Sequence, residues 1–221
     1  MLISELINYS LPVLKPTDFV GQALNLMQDN RIEALVVADG EEYLGIATED
    51  KLLDFDEADE IMDLNLQFQE TYLLDNQHIY EALSLISKYN LQVISVLNLT
   101  KKFVGTITAN EIYNKFSELL GSQEIGAVLV IRLKNNDYSL AEISRLIESD
   151  NAKIISSYFS GNNFDEENPA RLTLKLNRTN ISSIVATLER FGYVVESAFA
   201  NEPVESLEQE RYDMLMKYLS I

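Results

Sequence analysis

One segment of this chain recurs about sixty residues after its first appearance, and that recurrence constrains the fold more than any other feature. Gly45-Ile46-Ala47-Thr48-Glu49-Asp50-Lys51-Leu52 returns as Gly105-Thr106-Ile107-Thr108-Ala109-Asn110-Glu111-Ile112. Upstream, Ala23-Leu24 aligns with Ala82-Leu83, Met27 with Ile86, Ile32 with Leu91 and Val37 with Val96, all at an offset of 59. Downstream the offset is 60, so one residue has been added in the turn between Asp39-Gly40 and Asn98-Leu99-Thr100. Each copy reads as an amphipathic helix, an apolar strand, a polar turn and a short strand that closes on Gly-x-x-Thr. Two copies of one supersecondary unit bury their faces on each other, and the groove between them is the natural place for a ligand.

The elements follow from local pattern. Leu2–Tyr9 predicts a short helix and Leu11–Lys15 an extended lead-in between prolines. Thr17 or Asp18 caps a helix over Phe19–Asp29, whose apolar residues recur at helical spacing. Ala34–Ala38 and Tyr43–Ala47 form a hairpin across Asp39-Gly40, and Thr48 opens a helix to about Phe55. In the second copy Thr71–Leu74 is extended, and Asp75 or Asn76 caps a helix to Tyr89. Val93–Leu97 and Phe103–Ile107 are strands, and Thr108 opens Ala109–Leu120. The acidic run Asp54–Glu60 lacks the alternating carboxylates and turn glycine of a calcium loop, and reads as a solvated linker or helix face.

Gly121–Gly126 marks a boundary, after which the element order changes to βαββαβ. Ala127–Leu133 is an apolar strand. Ser139, with Glu142 at the third position, makes a capping box for Leu140–Ser149. Ile154–Phe159 and Leu172–Leu176 are strands around a loop, Gly161–Pro169. Thr179 or Asn180 caps Ile181–Phe191, Gly192 stops it, and Tyr193–Phe199 is the last strand. This is the ferredoxin-like arrangement. The chain thus divides into 1–121 (repeats of about 1–60 and 61–121), a βαββαβ part at 125–200, and a tail at 203–221 that reads as a helix with one apolar face. The fold class is α/β for the repeats and α+β for the remainder.

Charge and composition limit the function. A net charge of −18 repels phosphate backbones and anionic lipid, which argues against nucleic-acid and membrane-surface roles. No apolar run reaches the length of a bilayer span, and the start lacks the flanks of a signal peptide. The absence of cysteine removes disulfides and thiolate metal sites and fits a cytoplasmic location. His78 is the single histidine, near the start of a helix, with no partner for a typical zinc site. No nucleophile elbow, Walker loop or dinucleotide fingerprint occurs.

The two Gly-x-x-Thr units, each following helix–strand–turn–strand, resemble a tandem pair of CBS domains, the modules named after cystathionine β-synthase. Residues 125–200 resemble an ACT domain in element order and in Asn135-Asn136-Asp137-Tyr138-Ser139-Leu140 at the first strand-to-helix junction. The succession of a CBS pair and an ACT-like domain is loosely similar to acetoin-utilisation-type regulatory proteins. The resemblance implies a regulatory, non-enzymatic protein without a required cofactor. It implies a ligand in the groove between repeats, with AMP, ADP, ATP or S-adenosylmethionine as candidates. In such modules the threonine meets the ligand or caps the helix, and an aspartate three residues later holds the ribose. Here that position is Lys51 in the first copy and Glu111 in the second. Glu111 keeps acceptor oxygens, whereas Lys51 offers donors suited to phosphate. The candidate binding residues are therefore Thr108, Asn110 and Glu111, and Thr48, Asp50 and Lys51, with the Glu111 set expected to bind better. An amino-acid effector at Asn136, Asp137 and Ser139 is one reading of the ACT-like part; packing or dimerisation is the other. The expected partners are a second copy, as a homodimer, and a regulated enzyme. The alternative is a ligand-free homodimerising assembly module that recruits a partner enzyme.

Overall fold

The computed structural model describes residues 1–133, 139–161, 170–200, 215–217 and 219. Asn135 to Tyr138, most of the loop up to Pro169, and the tail apart from 215–217 and 219 lie outside the described residues. The chain forms two compact units, Met1–Phe116 and Ser117–Ile221.

In the first unit, α1 (Val20–Asn30), β1 (Ala34–Asp39), β2 (Glu42–Thr48) and α2 (Glu49–Leu52) make the first repeat. The second repeat comprises β3 (Tyr72–Leu74), α3 (Ile79–Tyr89), β4 (Val93–Leu97), β5 (Phe103–Thr108) and α4 (Ala109–Leu119). A short 3-10 helix opens each copy, at Ile3–Leu6 and at Ile61–Asp63. The correspondence is close. Leu14 bridges Val37 in parallel just as Leu73 pairs with Val96. Both hairpins carry the same bulge, between Val37 and Ala38 and between Val96 and Leu97. The bulge sets Gly45 and Gly105 at φ of 146° and 155°, a region open to glycine.

The lead-in segments are exchanged between repeats. Asn8, ahead of the first repeat, bridges Thr106 on β5 of the second, and Gln67, ahead of the second, bridges Ile46 on β2 of the first. Likewise the Ile3 N–H donates to the Gln77 carbonyl and the Ile61 N–H to the Asp18 carbonyl, both at 2.9 Å. The core is shared accordingly. β1 sends Leu35 and Val37 to a cluster with Val20, Ala23 and Met27, and Ala34 and Val36 to another with Ile79, Val93 and Ile94. Burial on both faces explains its unbroken apolar run.

Several caps differ from expectation. The predicted helix at Leu2–Tyr9 ends at Leu6, because Asn8 is drawn into an extended bridge. α1 starts after Phe19 without a side-chain cap, since Asp18 Oδ2 accepts the Lys15 N–H at 2.8 Å instead. α3 is capped by His78, whose Nδ1 accepts the Tyr80 N–H, rather than by Asp75 or Asn76. α2 stops after one turn.

The second unit has β6 (Val128–Arg132), α5 (Leu140–Ser149), β7 (Ile154–Ser160), β8 (Arg171–Leu176), α6 (Ser182–Arg190) and β9 (Val194–Phe199). Its four strands run in the order β7-β8-β6-β9, all antiparallel. The inward residues of the strands, among them Leu129, Ile131, Leu172 and Leu174, pack with Ile143, Ile147, Ile184 and Leu188 of the helices. This is the ferredoxin-like sandwich. Ser139 caps α5 by accepting the Glu142 N–H. Glu196, at the bulge of β9, takes two hydrogen bonds from Arg171, at 2.7 and 3.0 Å. That fork, with Arg132 nearby, holds its carboxyl below the ordinary carboxylate range.

Candidate functional site

The repeats meet where β1 and β4 begin. Glu33 and Gln92, equivalent at the offset of 59, face each other there. The Glu33 N–H donates to Gln92 Oε1 and Gln92 Nε2 donates to Glu33 Oε2, both at 2.8 Å. The Glu49 N–H donates to the Glu33 carbonyl and the Ala109 N–H to the Gln92 carbonyl, again at 2.8 Å. These bonds draw the start of the helix after each Gly-x-x-Thr up to the junction.

A cavity of about 410 Å³ opens at the first-repeat end. Ala34, Ile46, Leu91 and Val93 form its apolar floor, and Thr48, Glu49, Asp50 and Lys51 one edge. Phe68 and Tyr89 supply an aromatic wall, edge-to-face with centroids 6.0 Å apart. Phe68 has φ of 59°, a left-handed conformation that costs a bulky residue about 1 kcal/mol or more. Surrounding bonds hold it there. The Phe68 carbonyl accepts the Tyr43 hydroxyl at 2.7 Å and the Thr71 N–H at 2.9 Å. Burial pushes the Tyr43 phenol up to about 12, against a smaller downward pull from Ser95. The Ser95 hydroxyl is buried and outside hydrogen-bond geometry.

Of the residues expected from sequence, Thr48, Asp50 and Lys51 line this cavity together. Thr48 makes no capping hydrogen bond, which leaves its hydroxyl available. Lys51 leans toward Asp54, 3.7 Å away. Thr108, Asn110 and Glu111 stand at the equivalent place on the second repeat, and their situation differs. Glu111 Oε2 accepts the Thr108 N–H at 2.8 Å and the Thr108 hydroxyl at 2.9 Å, and the Glu111 N–H returns to Thr108 Oγ1 at 3.1 Å. This is a capping box for α4. Glu111 Oε1 accepts the Asn8 side-chain amide at 2.5 Å. Both oxygens expected to hold a ribose are thus engaged within the protein, and Asn110 is exposed. Phe68, Tyr89 and Asn8 escaped the sequence reading. One signal was available, since Tyr9 and Phe68 are both aromatic at the same offset of 59.

Residues 3–58 match the CBS domain family. A CBS domain pair/ACT domain protein from Thermotoga maritima superposes with a TM-score of 0.50 at 17% identity, covering 54% of this chain and 99% of its own. The CBS domains of a transcriptional regulator from Streptococcus pneumoniae give 0.46 at 16% identity, over 52% and 98% of the two chains. CBSX2, solved in complex with AMP, gives 0.45 at 17% identity, over 53% and 96%. No curated protein matches the chain. The fold is that of a CBS pair followed in sequence by an ACT-like βαββαβ unit. Among the described residues no helix is long and apolar enough to cross a membrane, and no group of three or more His, Cys, Asp or Glu is placed to hold a metal ion.

Proposed function

We propose that this chain is a non-enzymatic regulatory protein that senses an adenine nucleotide or a related adenosyl compound in the first-repeat CBS cleft. The observation that carries the reading is the cavity of about 410 Å³ with its Phe68–Tyr89 wall, apolar floor and polar edge at Thr48. Such a volume and lining suit a nucleoside-sized ligand, and an aromatic wall suits a purine face. The Asn8–Glu111 contact supports one ligand per chain rather than two. It reverses the preference drawn from the Glu111 side chain alone, because that preference presumed a free carboxylate.

Titration calorimetry with adenosine and AMP tests this. Phe68→Ala is expected to weaken binding by roughly ten- to thirtyfold through lost ring contact, while Glu111→Ala leaves affinity unchanged. A stoichiometry near one is expected. Equal affinity of Phe68→Ala and the parent chain would reject the cleft.

Exposed Phe19, Tyr80 and Tyr113 at the helices α1, α3 and α4 favour a second reading beside the first, a homodimer through these helices that brings in a partner enzyme. Light scattering should then give about twice 25.1 kDa. A single-chain mass at micromolar concentration would count against it.

A further inference from the structure

We propose that the first-repeat cleft selects its ligand by charge: it takes adenosyl compounds that are neutral or cationic beyond the ribose and disfavours polyphosphates. This rests on the reading that the cleft binds an adenosyl ligand. The charged groups on the cavity are Glu33, Glu49, Asp50 and Lys51, three carboxylates against one ammonium. Glu33 is bonded by the neutral amide of Gln92, so its charge is not compensated. The ammonium of Lys51 lies 3.7 Å from Asp54, a fourth carboxylate outside the cavity lining. The other polar residues on the wall are uncharged: the amides Gln67, Asn90 and Gln92 and the hydroxyl residues Thr48 and Tyr89. Lys88 stacks on the Tyr89 ring at 4.7 Å but does not line the cavity.

A triphosphate entering here meets an edge of net negative charge on a chain whose total is already −18. Nor does α2 answer that charge: it is a single turn with Glu49 and Asp50 in it. A ligand bearing a positive group meets the same carboxylates as partners. The aromatic wall and apolar floor serve the base and sugar in either case, so the discrimination lies in the groups attached beyond the ribose. Each added negative charge on the ligand should weaken binding by roughly three- to tenfold at low ionic strength.

The test is calorimetry on the full chain with adenosine, AMP, ATP and S-adenosylmethionine, at about 20 mM and about 500 mM salt, without divalent cations. The expected order is S-adenosylmethionine and adenosine, then AMP, then ATP. ATP should trail adenosine by at least about thirtyfold at low salt, a gap that narrows at high salt. The double variant Glu49→Gln/Asp50→Asn should improve ATP relative to adenosine by roughly tenfold or more at low salt; an unchanged ATP-to-adenosine ratio would overturn the charge selection. ATP binding as tightly as adenosine to the parent chain at low salt would overturn the charge selection while leaving the nucleotide reading intact. Binding of none of the four compounds would overturn both.

Discussion

Gly45→Ala is expected to lower the stability of the first unit by about 3 kcal/mol and to weaken any ligand in the adjoining cleft. Gly45 lies at the bulge of the first hairpin with φ of 146°, where a side chain is strained even in open space. Space is also lacking. An added Cβ would lie 2.8 Å from the Gln67 carbonyl oxygen and 2.9 Å from Leu66 Cβ. The first of these atoms is backbone and is itself fixed, since it accepts the Ile46 N–H at 2.8 Å. Relief requires moving the Leu66–Phe68 segment off β2, and that segment carries one wall of the cavity. Urea unfolding followed by circular dichroism measures the loss; a lowered midpoint with an unchanged slope identifies a loss of stability. A loss below about 1 kcal/mol would mean that the segment yields freely. Gly105→Ala makes a useful comparison. Its nearest obstacle, at 2.3 Å, is Ile7 Cγ2, a branch atom on a side chain stiff at χ1, so a loss of similar size is expected there.

Raising the pH from 10 to 12 is expected to remove about 2–3 kcal/mol of stability that Tyr43→Phe does not lose. Burial lifts the Tyr43 phenol from its ordinary 10 to about 12, so the folded state holds that proton more tightly than the unfolded chain. The contribution is complete below pH 10 and is lost as the pH rises toward 12. Tyr193 in the second unit, also pushed up to about 12 by burial and by its bond to Glu142, adds in the same direction. It is the more accessible of the two, and its share should be smaller. Ionisation of Tyr43 also withdraws the hydroxyl proton that holds the Phe68 carbonyl, so cleft binding should fail in the same window. Parallel alkaline unfolding of the parent and Tyr43→Phe would refute this assignment.

Much of the fold was legible because repetition makes it so. The strands of both hairpins, the helices that precede them and the βαββαβ order all come from periodicity and turn residues. What escaped depends on contacts remote in sequence. Asn8 and Glu111 are 103 positions apart, and no local pattern announces that one amide occupies the carboxylate of the other. The end of the first helix at Leu6 has the same origin, since a strand of the opposite repeat claims Asn8. His78 rather than Asp75 became the cap of α3 because the Asp75 N–H instead donates to the Leu97 carbonyl, extending the line of β3. Phe68 was hidden by its backbone, as sequence gives no hint that an aromatic residue adopts φ of 59°.

The exchange of lead-in segments makes the two repeats inseparable. Neither copy owns the strand-flanking residues that complete it: β2 needs Gln67 from the other side, and β5 needs Asn8. A gene fragment encoding one copy would produce a half with a vacant edge and a loose arm, and two such halves would fit together by trading arms. The tandem chain is then the covalent form of an interlocked pair, its two halves joined by a tether. Its first unit should melt in a single cooperative step. A nick in the acidic stretch Asp54–Glu60 should leave the fragments clasped until they are denatured.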